Sequence, residues 1–138
     1  MAARATEVKR GVHLRVARAT NDLGAVIRFY RDGLGLAELG SFRDHDGFDG
    51  VMLGQGKQQY HLEFTLQRDH PVAGAPTREN LLVFYLPETN SYSEAIERMR
   101  AHGYEPVASQ NPYWDRGGAT FEDPDGYRVV LYNGAWSK

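Results

Sequence analysis

The sequence contains no cysteine among its 138 residues. This absence excludes a disulfide framework, a thiolate metal site and a cysteine nucleophile. No apolar run approaches the roughly 20 residues that a membrane-spanning helix requires, and no apolar segment follows the basic start MAARATEVKRG. We therefore expect a cytoplasmic protein with neither a secretory signal nor a membrane partner.

An excess of positive charge is also lacking. The formal net charge is -2 at pH 7, whereas a protein that binds phosphate backbones needs a basic face. The sequence has no Gly-x-Ser-x-Gly segment, no phosphate-binding glycine loop and no His-Glu-x-x-His segment. Nucleic-acid binding, serine hydrolysis and nucleotide binding therefore have no support, and the length fits one domain.

The same predicted order of strands and helix occurs twice along the chain. In the first copy, a strand over 12–17 precedes a helix with Asp22 at its N-cap and apolar residues at positions 23, 26, 27 and 30. The glycines of Gly33-Leu34-Gly35 end this helix. Three strands are predicted to follow, over 37–42, 50–53 and 60–66, with 44–49 as the turn between the first two.

The second copy has the same order of elements. A strand over 80–86 precedes a helix that we expect to begin at Ser91, with Glu94 completing a capping box. Strands over 105–109, 118–122 and 127–132 follow, and Asp-Pro-Asp-Gly at 123–126 joins the last two. The sequence thus predicts an α+β fold of two tandem βαβββ modules, at about 12–67 and 80–133, with a linker at about 68–79.

Three segments resemble the glyoxalase and bleomycin-resistance proteins of the vicinal oxygen chelate (VOC) superfamily, which also includes extradiol dioxygenases. They are LGAVIRFYRDGLGL, YHLEFT and YWDRGGATFEDPDGYRVVLYN. The resemblance implies a single VOC domain over 1–138, whose modules form a half-barrel around a central cavity. Members use this cavity for metal-dependent lyase, isomerase or dioxygenase chemistry, whereas metal-free members sequester drugs or toxins.

The resemblance also implies metal ligands on the first and fourth strands of each module. Glu63 matches the carboxylate of the fourth strand and is the candidate catalytic residue. The equivalent position in the second module is Val130, which cannot bind a metal. The histidine of the second module's first strand falls near Asn80 or Leu81, so the usual ligand set is depleted.

A substitute set is available in the first module. His61 and Glu63 are two residues apart on one strand and therefore share a face, while His13 lies on the first strand, which borders the fourth in this fold. Two histidines and one carboxylate suit Zn, Fe, Mn or Ni. The alternative is that His61 is an ordinary partly buried histidine and His13 a surface residue at a strand end.

Four further residues are candidates for ligand binding. In glyoxalase-type members an arginine on the face of Arg15 holds an anionic substrate, so Arg15 is a candidate carboxylate clamp; a salt bridge at the rim is the alternative. Tyr113, Trp114 and Arg116 lie in the loop before the last hairpin. They either contact a planar ligand or attach this loop to the core.

Three functions remain open on these grounds. The first is a metal-dependent lyase, isomerase or dioxygenase, the second a metal-free protein that sequesters a drug or toxin, and the third a structural or regulatory domain. The depleted ligand set favours the last two, and the pairing of His61 with Glu63 favours the first. Because related proteins dimerise, we also expect a homodimer.

Overall fold

The computed structural model describes residues 11–136, which form two β-sheets and three helices. The strands are β1 Leu14–Ala19, β2 Ala37–His45, β3 Phe48–Gly54, β4 Tyr60–Gln67, β5 Leu81–Tyr85, β6 Gly118–Glu122 and β7 Arg128–Tyr132. The helices are α1 Leu23–Ile27, which continues as a π-helix over Arg28–Gly33, α2 Thr89–Ala101 and α3 Tyr113–Gly117. No helix within residues 11–136 is long and apolar enough to cross a membrane.

Each module has its own sheet. The first sheet has the order β1-β4-β3-β2, and the second has the order β5-β7-β6. In both sheets the first strand of the module lies parallel to the last, while the hairpin strands pair antiparallel. The predicted α+β fold with two modules is therefore confirmed, and the sheets of residues 11–136 do not join into a closed barrel.

The start of α1 follows the sequence prediction. Asp22 accepts a hydrogen bond from the Ala25 N–H at 3.0 Å, which satisfies one of the free donors of the first turn. The π-helical turn then buries Phe29 and Tyr30 completely. Gly33 closes this segment where α2 approaches it, since a Cβ there would lie 3.0 Å from the Met99 sulfur.

One hydrophobic core serves both modules. Side chains from α1, α2 and both sheets belong to a single buried cluster, which includes Phe29, Phe64, Met99, Phe121 and Val129. The helix-facing sides of the two sheets therefore share this core. Residues of the opposite strand phase lie on the other face of each sheet, directed away from it.

Three local predictions are wrong. Segment 105–109 makes only the bridge between Val107 and Thr120, because Pro106 has no N–H and the Ser109 N–H donates to the Asp115 carboxylate at 3.2 Å. Helix α2 begins at Thr89 rather than after Ser91, whose hydroxyl contacts Glu88 at 3.3 Å. Segment 113–116 forms the short helix α3 instead of a loop.

Candidate functional site

The candidate site lies on the face of the first sheet that is turned away from the core. On β4, His61 and Glu63 alternate with Leu62 and Phe64, which are buried in the core. The parallel register places Arg15 of β1 beside His61. Strand alternation thus brings His61, Glu63 and Arg15 to one face, as their spacing predicts.

Four side chains form a continuous polar cluster on this face, which we call the β1–β4 cluster: His13, Arg15, His61 and Glu63. His13 Nε2 lies 2.7 Å from His61 Nδ1, and Arg15 Nε donates to His61 Nε2 at 2.8 Å. Arg15 Nη1 lies 3.3 Å from Glu63 Oε2. The guanidinium therefore contacts both the second histidine and the carboxylate.

These contacts fix the proton positions of the histidine pair. A guanidinium only donates, so His61 Nε2 is an unprotonated acceptor. The proton of neutral His61 then resides on Nδ1 and is donated to His13 Nε2, which is likewise unprotonated. Both imidazoles are neutral in this arrangement.

The electrostatics of His61 agree with its neutral form. Partial burial lowers the pKa of His61, and electrostatic interactions with Arg15 and His13 lower it further. The Glu63 carboxylate opposes this shift without reversing it. His61 therefore remains a hydrogen-bond acceptor for Arg15 near neutral pH.

The cluster is open on the arginine side and closed on the carboxylate side. The Arg15 side chain is 48% exposed, whereas the Glu63 side chain is 14% exposed. Small residues lie next to the cluster on the adjoining strands, Ala17 beside Glu63 and Gly54 beside His61. Arg15 is thus a member of the cluster that an external molecule can reach.

The donors of the cluster do not fit a metal ion in this arrangement. Within residues 11–136 no group of three or more histidine or carboxylate side chains is placed to hold one. Both nitrogens of His61 are engaged, and Glu63 is paired with Arg15. On the second module, Val130 occupies the face that corresponds to Glu63, completely buried. The metal role of His13, His61 and Glu63 stays a prediction.

The second sheet carries a cluster of aromatic rings on its corresponding face, formed by Tyr85, Tyr113, Trp114 and Tyr132. Tyr113 stacks on Tyr132 with ring centroids 6.1 Å apart and planes at 7°. Trp114 and Tyr85 contact Tyr132 edge-on at 5.6 and 5.8 Å. A hydrogen bond with Tyr113 raises the pKa of the Tyr132 hydroxyl.

Two members of this aromatic cluster, Tyr85 and Tyr132, are absent from the sequence prediction. Their signal is strand phase, because both share the face of Val130, while Phe84 and Leu131 point into the core. Both Tyr85 and Tyr113 are exposed. The rings therefore offer a flat apolar surface to solvent.

Trp114 and Arg116 lie on α3, directly before β6. Trp114 lines a cavity of about 170 Å³ together with Arg78, Glu79 and Ser109, and Glu63 is not among the lining residues. Arg116 is exposed in the last turn of α3. The ligand-binding role of Tyr113, Trp114 and Arg116 stays a prediction.

Two grooves of the structure lie away from the β1–β4 cluster. One of about 320 Å³ runs between the end of the π-helical turn and α2, where it is lined by Leu36, Phe84 and Arg98. Another of about 370 Å³ lies between α1 and the β2–β3 hairpin. Neither groove is lined by His13, His61 or Glu63.

Comparisons with known proteins agree with the fold. The YycE-like N-terminal domain family matches residues 14–65, and the YycE-like C-terminal domain family matches residues 79–133. The uncharacterized protein YycE of Bacillus subtilis is 44% identical over 124 residues, which is 90% of this chain and 89% of YycE. The YycE crystal structure superposes with a TM-score of 0.83 at 42% identity, covering 92% of both chains.

More distant structures share the fold alone. The fosfomycin resistance protein FosX from Listeria monocytogenes, solved as a point mutant in complex with Mn(II) and 1S,2S-dihydroxypropylphosphonic acid, gives a TM-score of 0.64 at 17% identity, covering 89% of this chain and 88% of FosX. The antibiotic-binding protein TnmS3 from Streptomyces sp. CB03234 gives a TM-score of 0.61 at 17% identity, covering 90% of this chain and 95% of TnmS3.

The two modules have the same order of elements, and a YycE-like family model matches each of them. The chain belongs to the YycE-like family, within the VOC superfamily.

Proposed function

We propose that the chain is a small-molecule-binding protein that takes an anionic ligand at Arg15 without a metal ion. One observation carries this proposal: Arg15 is held in place by His61 and Glu63 and yet is 48% exposed. A guanidinium that is already positioned loses less conformational freedom when it binds a carboxylate or a phosphonate. TnmS3, an antibiotic-binding protein, shares the fold and provides a precedent for binding.

Recognition depends on the donors that the cluster leaves free. Nε of Arg15 is committed to His61 and Nη1 lies against Glu63, so Nη2 is the guanidinium nitrogen for which the described residues provide no hydrogen-bond partner. An anion that approaches there forms charge-assisted hydrogen bonds. Glu63 offsets part of the positive charge, which favours reversible binding of an anion.

The exposed rings of the aromatic cluster suggest what the rest of the ligand is like. A planar or aromatic body would stack on Tyr113 and contact Trp114, as expected for offset and edge-on ring pairs. We therefore propose an anionic group attached to a planar apolar body, such as an aromatic carboxylate.

In the proposed assembly a second copy of the chain brings the two surfaces together. Within one chain both surfaces are directed away from the shared core. Strands β1 and β5 lie at the edges of their sheets, and Val12 and Leu14 next to that edge are 77% and 57% exposed. We propose a homodimer in which these edges are covered.

Light scattering of the purified chain tests the dimer. We expect a mass of twice 15.5 kDa at micromolar concentration. Replacing Leu14 by a charged residue should shift the population toward monomer, whereas a charge at Leu39, which is exposed on the β2 edge of the same sheet, should not. A monomer mass for the unchanged protein contradicts the assembly.

Binding is tested with 2-naphthoate and its uncharged amide, followed by quenching of tryptophan fluorescence. We expect the carboxylate to bind more tightly than the amide, and Arg15→Met to remove that preference. Charge-assisted hydrogen bonds contribute about 1.5–3 kcal/mol, so the loss should exceed about tenfold in affinity. Arg100→Met is the matched control, since Arg100 is also exposed and ion-paired. Equal binding of acid and amide contradicts the proposal.

A metal-dependent lyase, isomerase or dioxygenase is the second candidate, favoured by the short His13–His61 distance of 2.7 Å. In that case His13, His61 and Glu63 would hold Zn, Fe, Mn or Ni after Arg15 moves out of the cluster, and Glu63 would be the catalytic residue. The bound Mn(II) of FosX provides a precedent in this fold. Elemental analysis after metal supply, with Glu63→Gln as control, should then show one metal per chain that the variant loses. A substoichiometric content in the unchanged protein removes this candidate.

A further inference from the structure

We propose that the Arg15 guanidinium takes the place of a metal ion in the β1–β4 cluster, so that removing it converts the cluster into a divalent metal site. The inference rests on the proposed metal-free binding function and explains why a guanidinium, and not a metal ion, occupies this site. It follows from the contacts of the guanidinium with the lone pairs of His61 and Glu63.

Each candidate metal donor is already committed. His61 Nε2 accepts from Arg15 at 2.8 Å, and Glu63 Oε2 lies 3.3 Å from the same guanidinium. His13 Nε2 accepts the proton of His61 Nδ1 at 2.7 Å. The imidazole nitrogen and the carboxylate that would bind a metal therefore converge on an organic cation.

The strand register explains how Arg15 reaches this position. Arg15 lies directly beside His61, while the residue beside Glu63 is Ala17, whose methyl group leaves space over the carboxylate. The guanidinium can thus extend along the strand from His61 to Glu63. A larger side chain at position 17 would occupy that space.

The charge of Glu63 makes a cation necessary at this position. Its side chain is 14% exposed, and a carboxylate shielded from water is costly unless it is paired. Arg15 meets this requirement permanently, because a guanidinium does not lose its proton in proteins. A divalent ion at the same position would be repelled by Arg15, so the two cations exclude each other.

Cobalt(II) binding to the chelator-treated protein tests the inference, followed by visible absorption and calorimetry. We expect Arg15→Ala to bind one Co(II) per chain at least about tenfold more tightly than the unchanged protein, the size of effect that groups contacting metal ligands have on metal affinity. Arg15→Lys keeps a cation in place and should resemble the unchanged protein. Adding Glu63→Gln to Arg15→Ala should abolish the gain.

Two further variants keep the result interpretable. Arg15→Met retains the methylene groups of the side chain and serves if the alanine variant is poorly folded by circular dichroism. Arg43→Ala, a change of the same type on an exposed residue of β2, should leave Co(II) binding unaltered. A gain in this control would mean that net charge, and not position 15, determines binding.

The inference is overturned if the unchanged protein binds one Co(II) as tightly as Arg15→Ala, or if folded Arg15→Ala and Arg15→Met gain no affinity. Its failure can be told apart from failure of the proposed function. Naphthoate binding to the unchanged protein without a metal gain in the variants rejects only the inference. A metal gain without any preference for the carboxylate rejects only the proposed ligand.

Discussion

Replacing Tyr30 by phenylalanine removes one hydroxyl that links the two modules. Tyr30 belongs to the first module, and its hydroxyl donates to Asp123 Oδ2 at 2.6 Å. Asp123 precedes the turn between β6 and β7 and is 5% exposed. Its other oxygen, Oδ1, accepts the N–H groups of Asp125 and Tyr127, both at 2.9 Å. The substitution therefore leaves Oδ2 without its donor while the turn itself keeps both hydrogen bonds.

The expected cost follows from the burial of both partners. A hydrogen bond to a charged group contributes about 1.5–3 kcal/mol, and a buried acceptor left unpaired loses that contribution. Burial raises the pKa of Asp123, which shows that the carboxylate is poorly solvated. We therefore expect Tyr30→Phe to lower the free energy of unfolding by about 2 kcal/mol at pH 7.

The sign of the pH dependence provides a second criterion. The Tyr30 hydroxyl stabilises the ionised form and so lowers the pKa of Asp123 relative to a protein that lacks it. The difference in stability between the two proteins is then largest while Asp123 is ionised. It should shrink as the pH falls through the pKa of Asp123.

Urea unfolding at pH 7 and at acidic pH measures both quantities. Tyr104→Phe is the control, because Tyr104 packs edge-on against Phe29 in the same core at 4.9 Å but is partly exposed. It should cost less than about 0.5 kcal/mol, the usual range for changes away from buried polar contacts. A loss of that size or less for Tyr30→Phe, or a difference that grows as the pH falls, would refute the reasoning.

Three further substitutions test the packing and capping of the fold by thermal or urea unfolding. Gly118→Ala should lower the free energy of unfolding by about 1–3 kcal/mol, because the new Cβ would lie 2.6 Å from the Leu131 carbonyl oxygen; Gly56→Ala, with nothing within 4 Å, should stay within about 0.5 kcal/mol. Asp22→Ala should cost about 1 kcal/mol by removing the cap of α1, and Asp22→Asn should restore most of it. Met99→Ala should cost about 2–5 kcal/mol, since Met99 is completely buried between the helices, and a cost under about 1 kcal/mol would contradict its central place in the core.

Much of the fold could be predicted because its signals are local. The apolar spacing of residues 23–30 and the cap at Asp22 specify α1, and the same spacing recurs in α2. Strand alternation predicts that His61 and Glu63 share a face. Each of these features depends on neighbours within a few residues, so the chain itself contains the information.

Features that depend on residues far apart in the chain could not be predicted from local sequence signals. The strand predicted at 105–109 is lost because Asp115, which lies further along the chain, takes the Ser109 N–H. The sequence predicts only a turn at Asp123, whereas the structure also pairs this residue with Tyr30, which lies 93 positions earlier. Periodicity predicts which side chains are buried but not which polar groups meet there.

The candidate site likewise has a part that local spacing predicts and a part that depends on distant residues. Sequence spacing predicts a face that carries Arg15 and the three proposed metal ligands, but their connection depends on the parallel register of β1 and β4. That register sets the guanidinium between His61 and Glu63. Arg15, which is expected to hold an anionic substrate, is in direct contact with His61 and Glu63, two of the residues expected to bind a metal.

The shared core determines which faces of the two sheets are available to a ligand. Because α1, α2 and the helix-facing sides of both sheets pack into a single cluster, the opposite faces of the two sheets are both directed away from that cluster. The β1–β4 cluster provides charge without a stacking surface, and the aromatic cluster provides rings without the paired guanidinium. If the proposed homodimer brings these two surfaces together, a ligand with both an anionic group and a planar body distinguishes the dimer from a single chain. On that proposal its affinity should depend on protein concentration in the range where the dimer forms.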